Sequence, residues 1–219
     1  VDSDAYGYAA YPGNNPIHFV LNNPGVLNNI GGAASNFIAG ADFVGDIYYG
    51  CVYGGTWVMM DPDDGVINVL GSCPDFAGVA YDISSSTMYG VTFAGALYTV
   101  DYMTGVSTLV GNGASGMIAM ACSNDGTLYA IDLNTDALGT IDKTSGAWTS
   151  IGPLGVDVNY AQDMAWDHAD DVCYWAAYTL TYGIGQLYTI DHTSGAISLV
   201  GDFQGGEEVT GFGIPGGAG

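Results

Sequence analysis

Basic side chains are almost missing from this sequence. Lys143 stands alone and arginine is absent, while 23 acidic side chains give a formal net charge of −22. Nucleic acids and anionic bilayers are held through Lys and Arg, so both partner classes are excluded. Glutamate is scarce too, with Glu207 and Glu208 the only two. No apolar run reaches the ~18 residues of a membrane-crossing helix, so no membrane insertion is expected. The four cysteines, Cys51, Cys73, Cys122 and Cys173, form no CxxC or Cys/His group, which excludes the common zinc patterns. The three histidines, His18, His168 and His192, stand in no Ser/His/Asp or Cys/His spacing. An initiator methionine is lacking as well. The opening Val1-Asp2-Ser3 reads as a mature end after signal-peptide removal, which predicts an extracellular or cell-surface protein.

What is present describes a folded chain. It is 48% hydrophobic with 16 Tyr, the opposite of a disordered acidic tail. The 35 glycines imply many tight turns. One phrase occurs twice: LYTVDYMTGVSTLVG at 97–111 and LYTIDHTSGAISLVG at 187–201. Each half alternates like a half-buried strand, and the centre is an Asp-to-Gly turn. Looser copies end at Gly31, Gly71 and Gly152. A second hairpin precedes each complete copy. Its first strand carries a small residue (Gly40, Ala80, Ala121, Ala165), and its second carries Tyr49, Tyr89, Tyr129 or Tyr174. Four short antiparallel strands in a repeat of about 40–45 residues are the signature of a propeller blade.

Four units are complete. The N-terminal segment supplies three strands, and VTGFGIP, Val209 to Pro215, supplies the missing inner one with Gly213 in the small-residue column. The prediction is all-β: a single five-bladed β-propeller over 1–219, its ring closed by the C-terminal strand. The blades fall at 209–219 with 1–31, then 37–71, 76–111, 117–152 and 161–201. The phrase LYTID-x-TSG, with MAWDHADDVCYWA before one copy, resembles propeller-like repeats of secreted and cell-surface bacterial proteins. The blade count is also similar to tachylectin-like lectins and furanosidase glycoside hydrolases. The resemblance implies a fold, and function must come from the site.

The turn-opening acids Asp61, Asp101, Asp142 and Asp191 read as turn caps, as do Asp42, Asp82 and Asp167 at the ends of first strands. Asp163 is the inner acid without a counterpart, and a hydrolase needs two placed carboxylates. The cysteines suggest two braces, Cys51–Cys73 and Cys122–Cys173. No cofactor is expected, and the negative charge leaves room for a structural calcium ion. Positions where the copies disagree are the expected contact residues: Asp163, Trp175, Tyr178 and Tyr182 around the longest insertion, and Glu207 and Glu208 in GDFQGGEE. The positive mean hydropathy of +0.24 in so acidic a chain implies apolar contact surface. The leading expectation is a non-enzymatic extracellular structural or interaction subunit that self-associates into a fibre, filament or surface layer. A glycan-binding adhesin is the second reading and a hydrolase the third.

Overall fold

A computed structural model describes residues 3–216. The mature start read at Val1 and Asp2, and the domain's last residues 217–219, lie outside the described residues. Among the described residues, twenty strands form five four-stranded antiparallel sheets. The first blade joins β1 (Asp4–Tyr11), β2 (Asn15–Val20) and β3 (Asn23–Asn29) to the last strand of the chain. The second runs β4 (Ile38–Val44), β5 (Ile47–Val52), β6 (Thr56–Met60), β7 (Ile67–Ser72). The third is β8 (Phe76–Asp82), β9 (Thr87–Thr92), β10 (Ala96–Val100), β11 (Ser107–Asn112). The fourth is β12 (Met117–Cys122), β13 (Leu128–Asp132), β14 (Ala137–Ile141), β15 (Trp148–Pro153). The fifth is β16 (Val158–Asp167), β17 (Val172–Thr179), β18 (Gly185–Ile190), β19 (Ile197–Asp202). Strand β20 (Glu208–Gly213) pairs antiparallel with β1 and closes the ring. The fifth blade therefore begins at Val158 rather than 161, and much of the expected insertion is simply a longer β17 ending in a turn at 180–184.

The core is not one mass but five wedges, each shared by two neighbouring blades. Ile38, Phe43 and Val58 pack on Tyr8 between the first and second blades. Trp57 meets Phe76 and Val79 between the second and third. Similar clusters join third to fourth, fourth to fifth, and fifth to first. The tyrosine column works in these seams: Tyr49 meets Tyr102 of the next blade with ring centroids 5.2 Å apart, and Tyr129 stacks on Trp166 at 5.5 Å.

The repeated phrase forms the outer hairpin of each blade. Its Asp caps the turn: Asp101 Oδ1 accepts the Met103 N–H at 3.0 Å, and Asp61, Asp142 and Asp191 do the same two residues on. Its closing Gly meets the next blade. A side chain at Gly31 would strike Gly65, and one at Gly71, Gly111 or Gly152 would strike the carbonyl of Thr104, Ser145 or Ser194. Gly201 faces Pro24 of the first blade, so the five contacts run round the whole ring.

One column differs from the sequence reading. Asp42 pairs with Tyr49 as Ala80 pairs with Tyr89, Ala121 with Tyr129 and Ala165 with Tyr174. Asp42 thus occupies the small-residue column, and Gly40 lies two residues before it. Asp82 and Asp167 do cap the first turn, accepting the N–H groups of Ser84 and Ala169. Asp42 instead accepts the Phe43 N–H at 2.8 Å and the Tyr81 N–H of the next blade at 2.7 Å.

Candidate functional site

All five inner strands start at one face of the ring, and each second strand ends there. The residue leaving the second strand hydrogen-bonds back to the approach of the first: Tyr53 N–H to Phe37, Leu133 to Gly116 and Leu180 to Asp157, at 2.8–2.9 Å. These exit positions, with the approaches to the inner strands, bring large apolar side chains to one surface. Tyr11, Tyr53, Phe93, Tyr160, Leu180 and Tyr182 are all exposed there.

At the centre of this face is a pocket of about 240 Å³. All five blades contribute to it, through Thr210, Ala39, Phe76, Ile118 and Gln162. Two ring pairs flank it: Phe37 stacked on Tyr53 with centroids 5.1 Å apart, and Phe93 against Tyr160 at 5.8 Å. Asp75 stands at the lip, its Oδ1 accepting the Gly54 N–H at 2.8 Å. A second hollow adjoins it, sharing Phe37, Tyr160 and Thr210 and adding Tyr11 and Glu208. Gln162 is pinned, its Oε1 receiving the Trp175 indole N–H at 2.8 Å and its Nε2 bonding the Asn159 carbonyl. Thr210 is buried, and its hydroxyl has no hydrogen-bond partner among the described residues.

Beside Gln162, Asp163 turns inward and away from solvent. It belongs to neither of two roles read from the sequence, contact residue or hydrolytic acid. Its Oδ2 accepts the N–H groups of Ala41 at 3.2 Å and Phe212 at 3.0 Å, and its Oδ1 that of Met164 at 2.9 Å. One carboxyl thus ties the fifth blade to the first and second, across the split blade. Burial holds the carboxyls of Asp163 and Asp42 above the usual range, Asp42 to about 7. A buried acid of this kind favours the folded state when protonated and loses that contribution as pH rises from its unfolded value of about 4. Asp82, Asp142 and Asp191 are held at about 2, and their contribution is lost as pH falls below about 4. The thermal midpoint is therefore expected to rise from pH 7 to about pH 4 and to fall towards pH 2. A scan with its maximum at pH 7 or above would contradict this.

Trp175 is also corrected: it is fully buried between the fourth and fifth blades and cannot touch a partner. Tyr178 is half-buried and Tyr182 exposed. Glu207 accepts the Gly13 N–H, and Glu208 reaches the second hollow with its carboxyl raised by burial and by Glu207. None of the four cysteines is joined to another in this structure. Cys51 and Cys73 lie 3.4 Å apart at sulfur. The proposed Cys122–Cys173 brace is not formed, because Cys122 packs in the seam between the third and fourth blades and Cys173 in that between the fourth and fifth. Among the described residues no three His, Cys, Asp or Glu side chains converge as a metal ion would require. The aromatic rim was missed because Tyr53, Phe93 and Tyr160 occupy turns and strand ends, where no periodicity marks them.

No curated protein matches the chain. The family model of a domain of unknown function, DUF4394, matches residues 117–213, the fourth and fifth blades with the closing strand. Among solved structures, a chain of a nidogen/laminin complex superposes over 100% of both chains, with a TM-score of 0.67 at 10% identity. A structural-genomics protein of unknown function from Bacteroides thetaiotaomicron VPI-5482 gives 0.57 at 15% identity, covering 91% of this chain and 50% of the other. An auxiliary nutrient binding protein from Bacteroides ovatus ATCC 8483 gives 0.51 at 14%, covering 70% and 38%. This chain thus spans half or less of the two Bacteroides proteins. At such identities the likeness is one of fold, and the fold is a five-bladed β-propeller.

Proposed function

We propose that this chain is a non-enzymatic structural or interaction subunit that works outside the cell and self-associates at the cell surface. The observation that carries the reading lies on the outer strands. Each is paired on one side alone, and at one equivalent position β7, β11 and β19 expose Val69, Leu109 and Leu199. None of the outer strands carries Lys or Arg, a common guard on such edges. Each outer pairing does carry a bulge. A bulge curls the edge and opposes strand addition, which leaves side-chain contact between rings as the mode of association. The inner acids support a non-enzymatic role, because Asp42 and Asp163 spend their oxygens on backbone amides.

Sedimentation and electron microscopy of the purified protein test this. Oligomers or filaments are expected, and a triple variant, Val69→Asp, Leu109→Asp, Leu199→Asp, should remain monomeric. Monomers of the unaltered protein at every concentration and salt would overturn the reading. An extracellular site also predicts oxidation of the adjacent thiols. Non-reducing peptide mapping of native material should show Cys51 joined to Cys73, with Cys122 and Cys173 free. A fully reduced Cys51–Cys73 pair would count against an oxidising site of action.

A further inference from the structure

The geometry points to the axial pocket as a binding site for a small organic ammonium ion, one carrying a single ring or a short branched chain. The inference goes beyond the assembly reading and stands apart from it, since the site lies away from the outer edges proposed for self-association.

Size and lining set the first limit. An apolar cavity of about 150 Å³ holds benzene, so a pocket of about 240 Å³ takes one ring with a short substituent. The walls are mostly aromatic and aliphatic. A sugar needs several directed hydrogen bonds, and here the amide of Gln162 is already engaged at both ends. Charge sets the second limit. Ring faces attract cations through their quadrupole, and four aromatic rings flank this pocket. Asp75 adds a carboxylate at the lip and Glu208 another in the adjoining hollow. The net charge of −22 concentrates cations at the surface, and an anion would be repelled. The one basic side chain, Lys143, is already held by Asp82 at 2.7 Å, so the chain does not fill the role itself. The third observation is Thr210, a residue that lines both hollows and whose buried hydroxyl has no hydrogen-bond partner among the described residues. An ammonium N–H bonded there would satisfy it.

Calorimetric titration of the full chain with benzylammonium, and with benzyl alcohol as its neutral counterpart, tests the proposal. Benzylammonium is expected to bind at least about tenfold tighter, with a preference that shrinks as salt rises. Asp75→Asn keeps the acceptor for Gly54 and should remove most of that preference. Tyr160→Ala alters a largely exposed ring and should weaken binding of both probes without moving the thermal midpoint. Equal binding of the two probes, no binding of benzylammonium at millimolar concentration, or tighter binding of methyl glucoside would each overturn the inference. A self-associating protein that binds no ammonium would sink this inference alone. A monomer that binds it would sink the assembly reading alone.

Discussion

Gly111→Val is expected to destabilise the fold by about 3 kcal/mol, with a fall of roughly 6–12 °C in thermal midpoint. Gly111 closes the repeated phrase in the third blade. Its backbone is not in the left-handed region, so valine would meet no conformational penalty there. The cost is steric: the first side-chain carbon would overlap the Ser145 carbonyl oxygen in the turn of the fourth blade. Backbone atoms in a capped turn cannot swing aside as a flexible side chain could. Either the blades separate or the Asp142 turn deforms, and both disturb the seam beneath. Gly32→Ala supplies the control, because nothing lies within 4 Å of a side chain built there. That change should stay within about 0.5 kcal/mol. Equal urea midpoints for the two variants would show that the blades do not dock through this glycine.

Lys143→Met is expected to cost about 3 kcal/mol at pH 7, an outsized effect for one lysine. Exposed ion pairs contribute little, but this one has a hidden partner. Lys143 Nζ lies 2.7 Å from Asp82 Oδ2, and the Asp82 side chain is fully shielded while the lysine is about one-third exposed. The pair joins the outer turn of the fourth blade to the inner strand of the third. Removing the lysine strands a buried carboxylate with only the Ser84 and Ser85 hydroxyls and amides as partners. Adding Asp82→Asn should recover part of the loss, since no charge is then buried. The sign with pH is set by the depressed carboxyl, held at about 2. Its stabilisation is present above the unfolded value of about 3.9 and disappears as pH falls through about 2. The deficit of the variant should therefore be full at pH 7 and small near pH 2. A deficit independent of pH would mean that lost packing, not the ion pair, explains it.

These two residues show how unevenly the fold could be read. The glycines at 31, 71, 111, 152 and 201 were visible as a period, and the period delivered the blade, the blade count and the closing strand. Hairpins are local objects whose turn chemistry and alternation are written along the chain. Why the glycines recur was not visible, since each meets the following blade: at a turn 33 or 34 residues on for Gly31, Gly71 and Gly111, at a turn 42 residues on for Gly152, and across the ring closure at Pro24 for Gly201. Asp42 was placed two residues out of register for a related reason. The first hairpin of the second blade turns in two residues, 45–46, where those of the third and fifth blades take four, and pairing partners alone reveal the difference.

The site was less legible still. Asp163 looked like a free inner acid because nothing along the chain announces that Ala41 and Phe212 will aim their N–H groups at it. Trp175 looked like a contact residue because an aromatic beside an insertion can face either way. Tyr53, Phe93 and Tyr160 carried no signal of their own along the chain, and the ring gathers them round one axis. The sequence by itself determined the repeat, the turns, the five blades and the near-total lack of basic charge, because each is a local or compositional property. Only the tertiary structure decided which acids are buried, which thiols meet and which aromatics surround the axial pocket. Those depend on residues from several blades converging, and convergence is set by closure of the ring rather than by spacing along the chain.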